Sequence, residues 1–475
     1  MAFNAVKSHQ YADFQNSAAP LAADTAPART RYDLATAIDV VRQMETSAGR
    51  AAVFEEIKAK NPLYRLVDGI YARAGKDVQP LALFAYMLKC AVSVGPEGTP
   101  DAEAVAISSF PNEHRTLDRV AALAPDMGLL RLTTERRNVA AFGQARSALA
   151  LVKEGPRILG FLRTLAATHS FMPAARIASA LAYYIRFSQL LAERPGIKAA
   201  VVASNYSPEA VGLAAAAHAA GRKVIYANHA PVPGNGAVVP PVYADCALFY
   251  GDVIAETYRR RSACTAEVGT IGQPGTSLPM AWRERIETVG IFLTSGTKVE
   301  TLKSLIATIR LERPDVRILI RQHPVTLLKT DFKGIGVDDP LVELTIGQPL
   351  DEEIAACDLI ICGNSGVAMN VLSGGRPVAY LSSLDGIAFD ANGFVQSRLV
   401  MSVPWWTDDI YDRLKGFYQA PGWEAVMRRY DASYGVDPAE LRAAASRLLL
   451  RHVRCGLREE AVDDAGSPDN MSATA

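Results

Sequence analysis

Apolar positions change their rhythm once along this chain. From residue 33 to about residue 191 they recur at three- and four-residue spacing, as over residues 51–71 and 81–94, and this spacing predicts helices. Strand signals in this stretch are few and weak. Near residue 197 short β-prone runs begin to alternate with helical ones. Residues 197–204 read as a strand, 208–220 as a helix of small residues and 222–227 as a second strand. A strand over 246–250, a helix over 252–261 and a strand over 266–271 follow. Residues 272–283 interrupt the alternation with Gly and Pro, and a second series then starts. It has strands over 289–294, 316–321, 342–346, 358–362 and 377–381, with helices over 300–312, 351–356 and 366–373 between them. Strands alternating with helices require a parallel sheet covered on both faces. The prediction is therefore an α/β protein of two Rossmann-like domains facing across a cleft, with a helix-rich N-terminal region. Its divisions are a disordered tail over 1–30, an N-terminal domain over 31–275, a C-terminal domain over 285–455 and a second tail over 456–475. The hinge is expected over residues 272–277. No internal repeat has the period of a solenoid or propeller.

In an open parallel sheet, ligands bind beyond the carboxyl ends of the strands. Three such positions in the second series carry chemistry. Gly363-Asn364-Ser365-Gly366 follows a buried strand and leads into a helix, so backbone N–H groups, the helix dipole and the Ser365 hydroxyl suit an anion. The other reading is that Asn364 or Ser365 caps the helix. Arg321-Gln322-His323-Pro324 ends another strand, and an imidazole fixed there can donate to a phosphate oxygen or act as a structural hydrogen-bonder. Ser295-Gly296-Thr297-Lys298 resembles a phosphate-cradling turn without full P-loop spacing; an ordinary βα loop is its alternative. In the first series, Glu209 and His229 follow two strands and compete as general base on an acceptor hydroxyl. Glu209 also suits the first turn of a helix for dipole reasons alone.

Composition narrows the class. The chain has 475 residues, 49% hydrophobic and 21% charged, and its 50 Lys and Arg balance its 50 Asp and Glu. No net cationic charge supports nucleic-acid binding. Cys90, Cys246, Cys264, Cys357, Cys362 and Cys455 are too scattered for a disulfide framework or a zinc site, which fits a reducing cytoplasm. No apolar run is long enough to span a bilayer, and no secretory leader is expected. Residues 160–191 mix Arg163, Arg176 and Arg186 with Phe161, Phe171, Tyr183, Tyr184 and Phe187, a pattern that could rest on an anionic membrane but is read in preference as a core helix with snorkelling arginines. Trp405 and Trp406 can stack on a sugar or, as expected, pack the crossover of the terminal helix back onto the first domain.

The element Arg321-Gln322-His323-Pro324, the loop Gly363-Asn364-Ser365-Gly366, the run Gly374-Gly375-Arg376-Pro377 and the upstream Ala227-Asn228-His229 resemble those of GT-B glycosyltransferases that build bacterial surface polysaccharides. The resemblance covers about residues 197–402. It implies transfer of a sugar from a nucleotide-activated donor, CMP-linked acidic sugars being favoured, to a glycan, glycolipid or glycoprotein acceptor. It places His323 and Ser365 on the donor phosphate, with Ser295, Gly296, Lys298, Arg321, Pro324, Gly363, Asn364 and Gly366 around it, and the acceptor in the N-terminal domain. No metal or other cofactor is implied, and the enzyme would work in the cytoplasm at the inner face of the membrane. The relatives' Ser-Ser pair is Asn364-Ser365 here, and their Asp/Glu-Asp-Gly base region has no counterpart. A nucleotide-sugar epimerase on the same fold and a non-catalytic sugar-nucleotide-binding protein are the alternative functions.

Overall fold

A computed structural model describes residues 34–45, 58, 61–97, 102–134, 141–229, 242–262, 264–275, 277–294, 296–323, 334–336, 338–345, 347–385, 390 and 392–455. The first sheet contains β1 (Gly95–Glu97), β2 (Ala104–Ser108), β3 (Leu129–Thr133), β4 (Ala199–Val202), β5 (Lys223–Ala227), β6 (Cys246–Phe249) and β7 (Glu267–Thr270), in the order β1-β3-β2-β4-β5-β6-β7. Only the edge strand β1 runs antiparallel to its neighbour. Its helices are α1 (Leu34–Gln43), α2 (Pro62–Arg73), α3 (Val78–Ala91), α4 (Pro111–Leu123), α5 (Ala141–Lys153), α6 (Gly155–Thr168), α7 (Phe171–Glu193), α8 (Pro208–Ala219) and α9 (Asp252–Ser262).

The second sheet is all parallel. It contains β8 (Thr288–Phe292), β9 (Arg317–Arg321), β10 (Val342–Thr345), β11 (Leu359–Cys362), β12 (Val378–Tyr380) and β13 (Met401–Ser402), in the order β10-β9-β8-β11-β12-β13. Its helices are α10 (Val299–Glu312), α11 (Leu350–Ala356), α12 (Val367–Ser373), α13 (Ile410–Tyr418) and α14 (Trp423–Tyr430), and α15 (Pro438–Cys455) ends the described chain. Two Rossmann-like units result, the architecture that the GT-B resemblance implies.

Two expectations need correction, and one pair of alternatives is decided. The first sheet does not begin near residue 197: β1, β2 and β3 lie inside the stretch that read as helical. Second, of the two readings of residues 160–191, α7 takes the preferred one, a core helix. Ala175, Ile177, Ala178, Leu181, Ala182, Ile185 and Phe187 are all buried, Arg186 is only 9% exposed, and Arg176 donates to the Tyr206 carbonyl at 2.6 Å. It is the central helix of the first core, and α8 lies so close that a Cβ on Gly212 would stand 2.7 Å from Tyr183 Cβ. Third, α15 leaves the second unit: Ala445, Leu449 and Val453 are buried in the first core. Trp406, 2% exposed, packs, as expected, but in the second core and not onto the first unit, and Trp405 Nε1 donates to Thr308 Oγ1 at 3.2 Å. Among the described residues no helix is long and apolar enough to cross a membrane.

The chain passes between the units at two places, and these are stitched together. Gly272 and Gly275 in the first passage have φ of +70° and +96°, where a side chain is strained. Arg119 of α4 donates to the carbonyls of Ile271 and, at 2.6 Å, Gly272. The second passage turns on Asp431, which is fully buried. Its carboxylate accepts the Gln273 N–H at 2.8 Å, the Ser373 hydroxyl at 2.8 Å, and the Ser433 N–H and hydroxyl at 3.0 and 2.5 Å. A cavity of about 590 Å³ lies beside this junction, lined by Arg119, Ile271, Ser277, Ser433, Leu441 and Arg442.

Candidate functional site

In the second sheet the chain runs outward from β8 to β9 and β10, then returns to the other side of β8 with β11, β12 and β13. The topological switch point therefore lies between β8 and β11, where an open α/β sheet forms its ligand crevice. Phe292 at the end of β8 is level with Arg321 on one side and Cys362 on the other. The chains leading to His323 and Ser365 thus leave the same edge two strand spacings apart, about 10 Å. Lys298, between them on the loop after β8, is exposed, and its N–H donates to the Leu384 carbonyl at 3.1 Å. His323 is half-buried, and burial lowers its pKa from 6.5, so its imidazole is neutral at pH 7.

The structure also shows what holds this edge. Asp385, 5% exposed, reaches back from the loop after β12, and its carboxylate accepts the Asn364 N–H at 2.6 Å. A Cβ on Gly363 would collide with that carboxylate, which explains the glycine; a Cβ on Gly296 would lie 3.2 Å from the Asp385 carbonyl. Ser365 Oγ accepts the Val367 N–H at 3.3 Å, so this hydroxyl supports the helix start, with its own proton still available to a ligand; Gly366 stands immediately before α12. Arg321 is engaged by the Glu353 carboxylate and, at 2.9 Å, by the Gln348 carbonyl, which draws it toward the flank of the sheet. Ser295 and Pro324 lie outside the described residues.

The first sheet has its own switch point, between β2 and β4, because β3 lies on one side of β2 and β4, β5 and β6 on the other. Register brings the ends of β2, β4 and β5 level, with Ile107 opposite Val202 and Val202 opposite Tyr226. His229, just after β5, bonds through Nδ1 to the Ala203 carbonyl. A carbonyl only accepts, so Nδ1 carries the proton and Nε2 carries the lone pair, which faces the Tyr206 hydroxyl at 3.4 Å. Burial lowers the His229 pKa from 6.5, and the Ala203 bond opposes this in part. A neutral imidazole of fixed tautomer is the form a general base requires.

Glu209, 7% exposed, occupies the first turn of α8. Near it stands a group the sequence reading missed. Glu113, 2% exposed in the first turn of α4, accepts the Ser109 N–H at 2.8 Å. Burial, with the Glu209 charge adding to it, pushes its pKa from 4.5 to about 7. Next to it, Ser108 Oγ and His114 Nδ1 are 2.9 Å apart. The sequence signal was present: apolar residues 104–107 run into Ser-Ser-Phe-Pro, with Pro111 at the first helical position and Glu113 two residues later. Among the described residues no group of three or more His, Cys, Asp or Glu side chains is placed to hold a metal ion.

No protein-family profile matches the sequence, and no curated protein is significantly similar to it. Solved structures match at low identity. The S. aureus MnaA–UDP co-structure is 12% identical over 74% of this chain and 96% of that chain, with a TM-score of 0.44. UDP-GlcNAc 2-epimerase from Neisseria meningitidis bound to UDP-GlcNAc is 12% identical over 73% of this chain and 98% of that one, with a TM-score of 0.44. The calicheamicin glycosyltransferase CalG4 is 12% identical over 74% of this chain and 99% of that one, with a TM-score of 0.40. These likenesses are distant, and the assignment of two Rossmann-like units stands on the strand orders themselves.

Proposed function

We propose that the protein is a glycosyltransferase that binds a nucleotide-activated sugar at the carboxyl edge of the second sheet and an acceptor hydroxyl at that of the first. The observation that carries this reading is the strand order of the second sheet, which sets the Thr294–Lys298 and Gly363–Gly366 loops on the two sides of its switch point. His323 would donate an N–H to a phosphate oxygen, Ser365 would donate its hydroxyl proton, and Lys298 would supply positive charge. Asp385 already occupies the Asn364 N–H, so the phosphate would lie toward β8 and β9, and the Asp385 carboxylate would meet hydroxyl groups of the ligand. In the first lobe, His229 Nε2 would take the proton of the acceptor hydroxyl as its oxygen bonds to the anomeric carbon. The bond from that carbon to the phosphate oxygen breaks with its electron pair going to the nucleotide, whose charge the second lobe stabilises. His229 is preferred to Glu209 as base because its tautomer is fixed with the Nε2 lone pair toward the Tyr206 hydroxyl, whose place an acceptor hydroxyl would take.

The preference for a CMP-linked acidic sugar rests on the resemblance alone. A thermal-shift series with CMP, CDP, UDP and GDP tests the nucleotide site, because a ligand bound only by the folded protein raises Tm. The expected result is a rise with one nucleotide that His323→Ala abolishes. No rise with any of the four would reject the nucleotide site. Product formed from the donor sugar alone, without acceptor, would assign the chain to the epimerases instead.

A further inference from the structure

The helix α2 is attached to the protein by one side. Asn61 caps it by accepting the Leu63 N–H at 3.0 Å. Tyr71 packs against Phe171 with ring centroids 5.1 Å apart, and Asp68 accepts the Phe171 N–H at 2.9 Å while pairing with Lys58. These contacts fix α2 on the N-terminal end of α7. The other side carries Leu63, Leu66 and Ile70 at 64%, 60% and 60% exposure. Their spacing of three and four residues makes them one continuous stripe. Val78 and Leu81, just past the turn that follows, are each 54% exposed. Scattered exposed leucines are ordinary, whereas an aligned apolar stripe marks a surface that meets something.

The charges indicate what it meets. Arg73 flanks the stripe, Arg65 stands further round the same exposed side, and Lys76 follows in the turn; none of the three has a carboxylate partner among the described residues. Of the described acids on α2 and in the turn after it, Asp68 is spent on Lys58 and the Phe171 N–H, which leaves Asp77 against three cations. We propose that this face of α2 lies on an anionic lipid bilayer, with Leu63, Leu66 and Ile70 inserted among the acyl chains and Arg65, Arg73 and Lys76 at the phosphate level. A short amphipathic helix with such a composition binds in the plane of the interface and does not cross it. This places the membrane contact on α2, not on α7, and does not depend on the sugar-transfer reading.

Co-sedimentation of the full chain with vesicles tests it. Wild-type protein is expected to pellet with phosphatidylcholine vesicles that contain phosphatidylglycerol, and much less with phosphatidylcholine alone. The double variant Leu66→Glu, Ile70→Glu should lose more than about tenfold in partitioning, and Arg73→Gln about fivefold, both with unchanged far-UV circular dichroism. Three outcomes would overturn the proposal: no pelleting with either vesicle, equal pelleting with both, or pelleting that the double variant leaves intact. Self-association of the wild-type chain that the double variant abolishes, without vesicle binding, would assign the stripe to contact between copies of the chain and overturn it as well.

Discussion

Glu113 gives the sharpest test of the first-lobe site, because its chemistry reads out in stability without knowledge of any substrate. Its carboxyl is 2% exposed, and burial raises its pKa from 4.5 to about 7, with the Glu209 charge adding to the effect. The folded protein therefore holds a proton that the unfolded chain releases between those two values. Where the native state binds more protons, stability falls as pH rises. This contribution is complete below about pH 4.5 and is lost as pH rises through about 7. A shift of that size corresponds to roughly 3 kcal/mol at about 1.4 kcal/mol per unit. Glu113→Gln keeps an oxygen to accept the Ser109 N–H and removes the titration. Urea unfolding of both proteins from pH 5 to pH 8 should show similar midpoints at the acid end. At the alkaline end the variant should be more stable by on the order of 3 kcal/mol. Glu209→Gln, which deletes the neighbouring charge, should narrow the difference. Parallel pH curves for wild type and Glu113→Gln, or a gap that widens toward acid, would refute the assignment of Glu113 as a buried, protonatable group.

His229 should behave with the opposite sign. Its folded pKa is lowered by burial, so its contribution is complete above about pH 6.5 and falls away as pH drops below that value toward the folded pKa; His229→Gln should flatten this limb in the same urea series. If it is the general base, kcat of His229→Ala should fall by about 10²- to 10⁴-fold with nucleotide affinity retained, measured by product formation and thermal shift side by side. Asp431→Ala removes the acceptor of four hydrogen-bond donors at the junction, of which the Gln273 N–H and the Ser373 hydroxyl are buried, and should cost about 3–5 kcal/mol in urea unfolding. Ser373→Ala removes one of those bonds and should cost about 1–2 kcal/mol; equal effects from the two variants would show that Asp431 is not the shared acceptor.

The second unit was legible because its strands are short β-branched runs such as Val-Arg-Ile-Leu-Ile-Arg, each set between polar loops and a clear helix. The first unit was legible only from β4 onward. β2 reads Ala-Val-Ala-Ile-Ser and β3 reads Leu-Leu-Arg-Leu-Thr. Alanine and leucine favour helices, and all five residues of β2 are buried, which removes the alternation that marks a half-exposed strand. With β2 unseen, the switch point of the first sheet was unseen too, and with it Ser108, Glu113 and His114. Asp385 had no signal at all: its role comes from a loop that brings it 21 residues back to Asn364. The arginines of α7 left a second reading open beside the preferred core helix, since a long side chain on an apolar helix reads alike whether it reaches lipid or a backbone carbonyl, as Arg176 reaches that of Tyr206.

The two lobe edges and the junction belong to one mechanical unit. The helix α4 starts beside the first switch point, with Glu113 in its first turn, and carries Arg119, which holds the carbonyls of Ile271 and Gly272. The helix α12 starts just after Ser365 at the second switch point and ends at Ser373, whose hydroxyl is bonded to Asp431. Six residues of helix, about 9 Å, separate Glu113 from Arg119, and α12 covers about the same length between the Ser365 turn and Ser373. A helix transmits rotation as a rigid rod, whereas the glycines at positive φ between them, Gly272 and Gly275, can absorb it. A change in the angle between the lobes would strain the bonds of Arg119 and Asp431, which sit on or at the ends of the helices that lead to the Glu113 and Ser365 edges. Closing the lobes on a ligand held at both edges would thus act directly on the hydrogen bonds at Asp431, the most deeply buried charge at the junction.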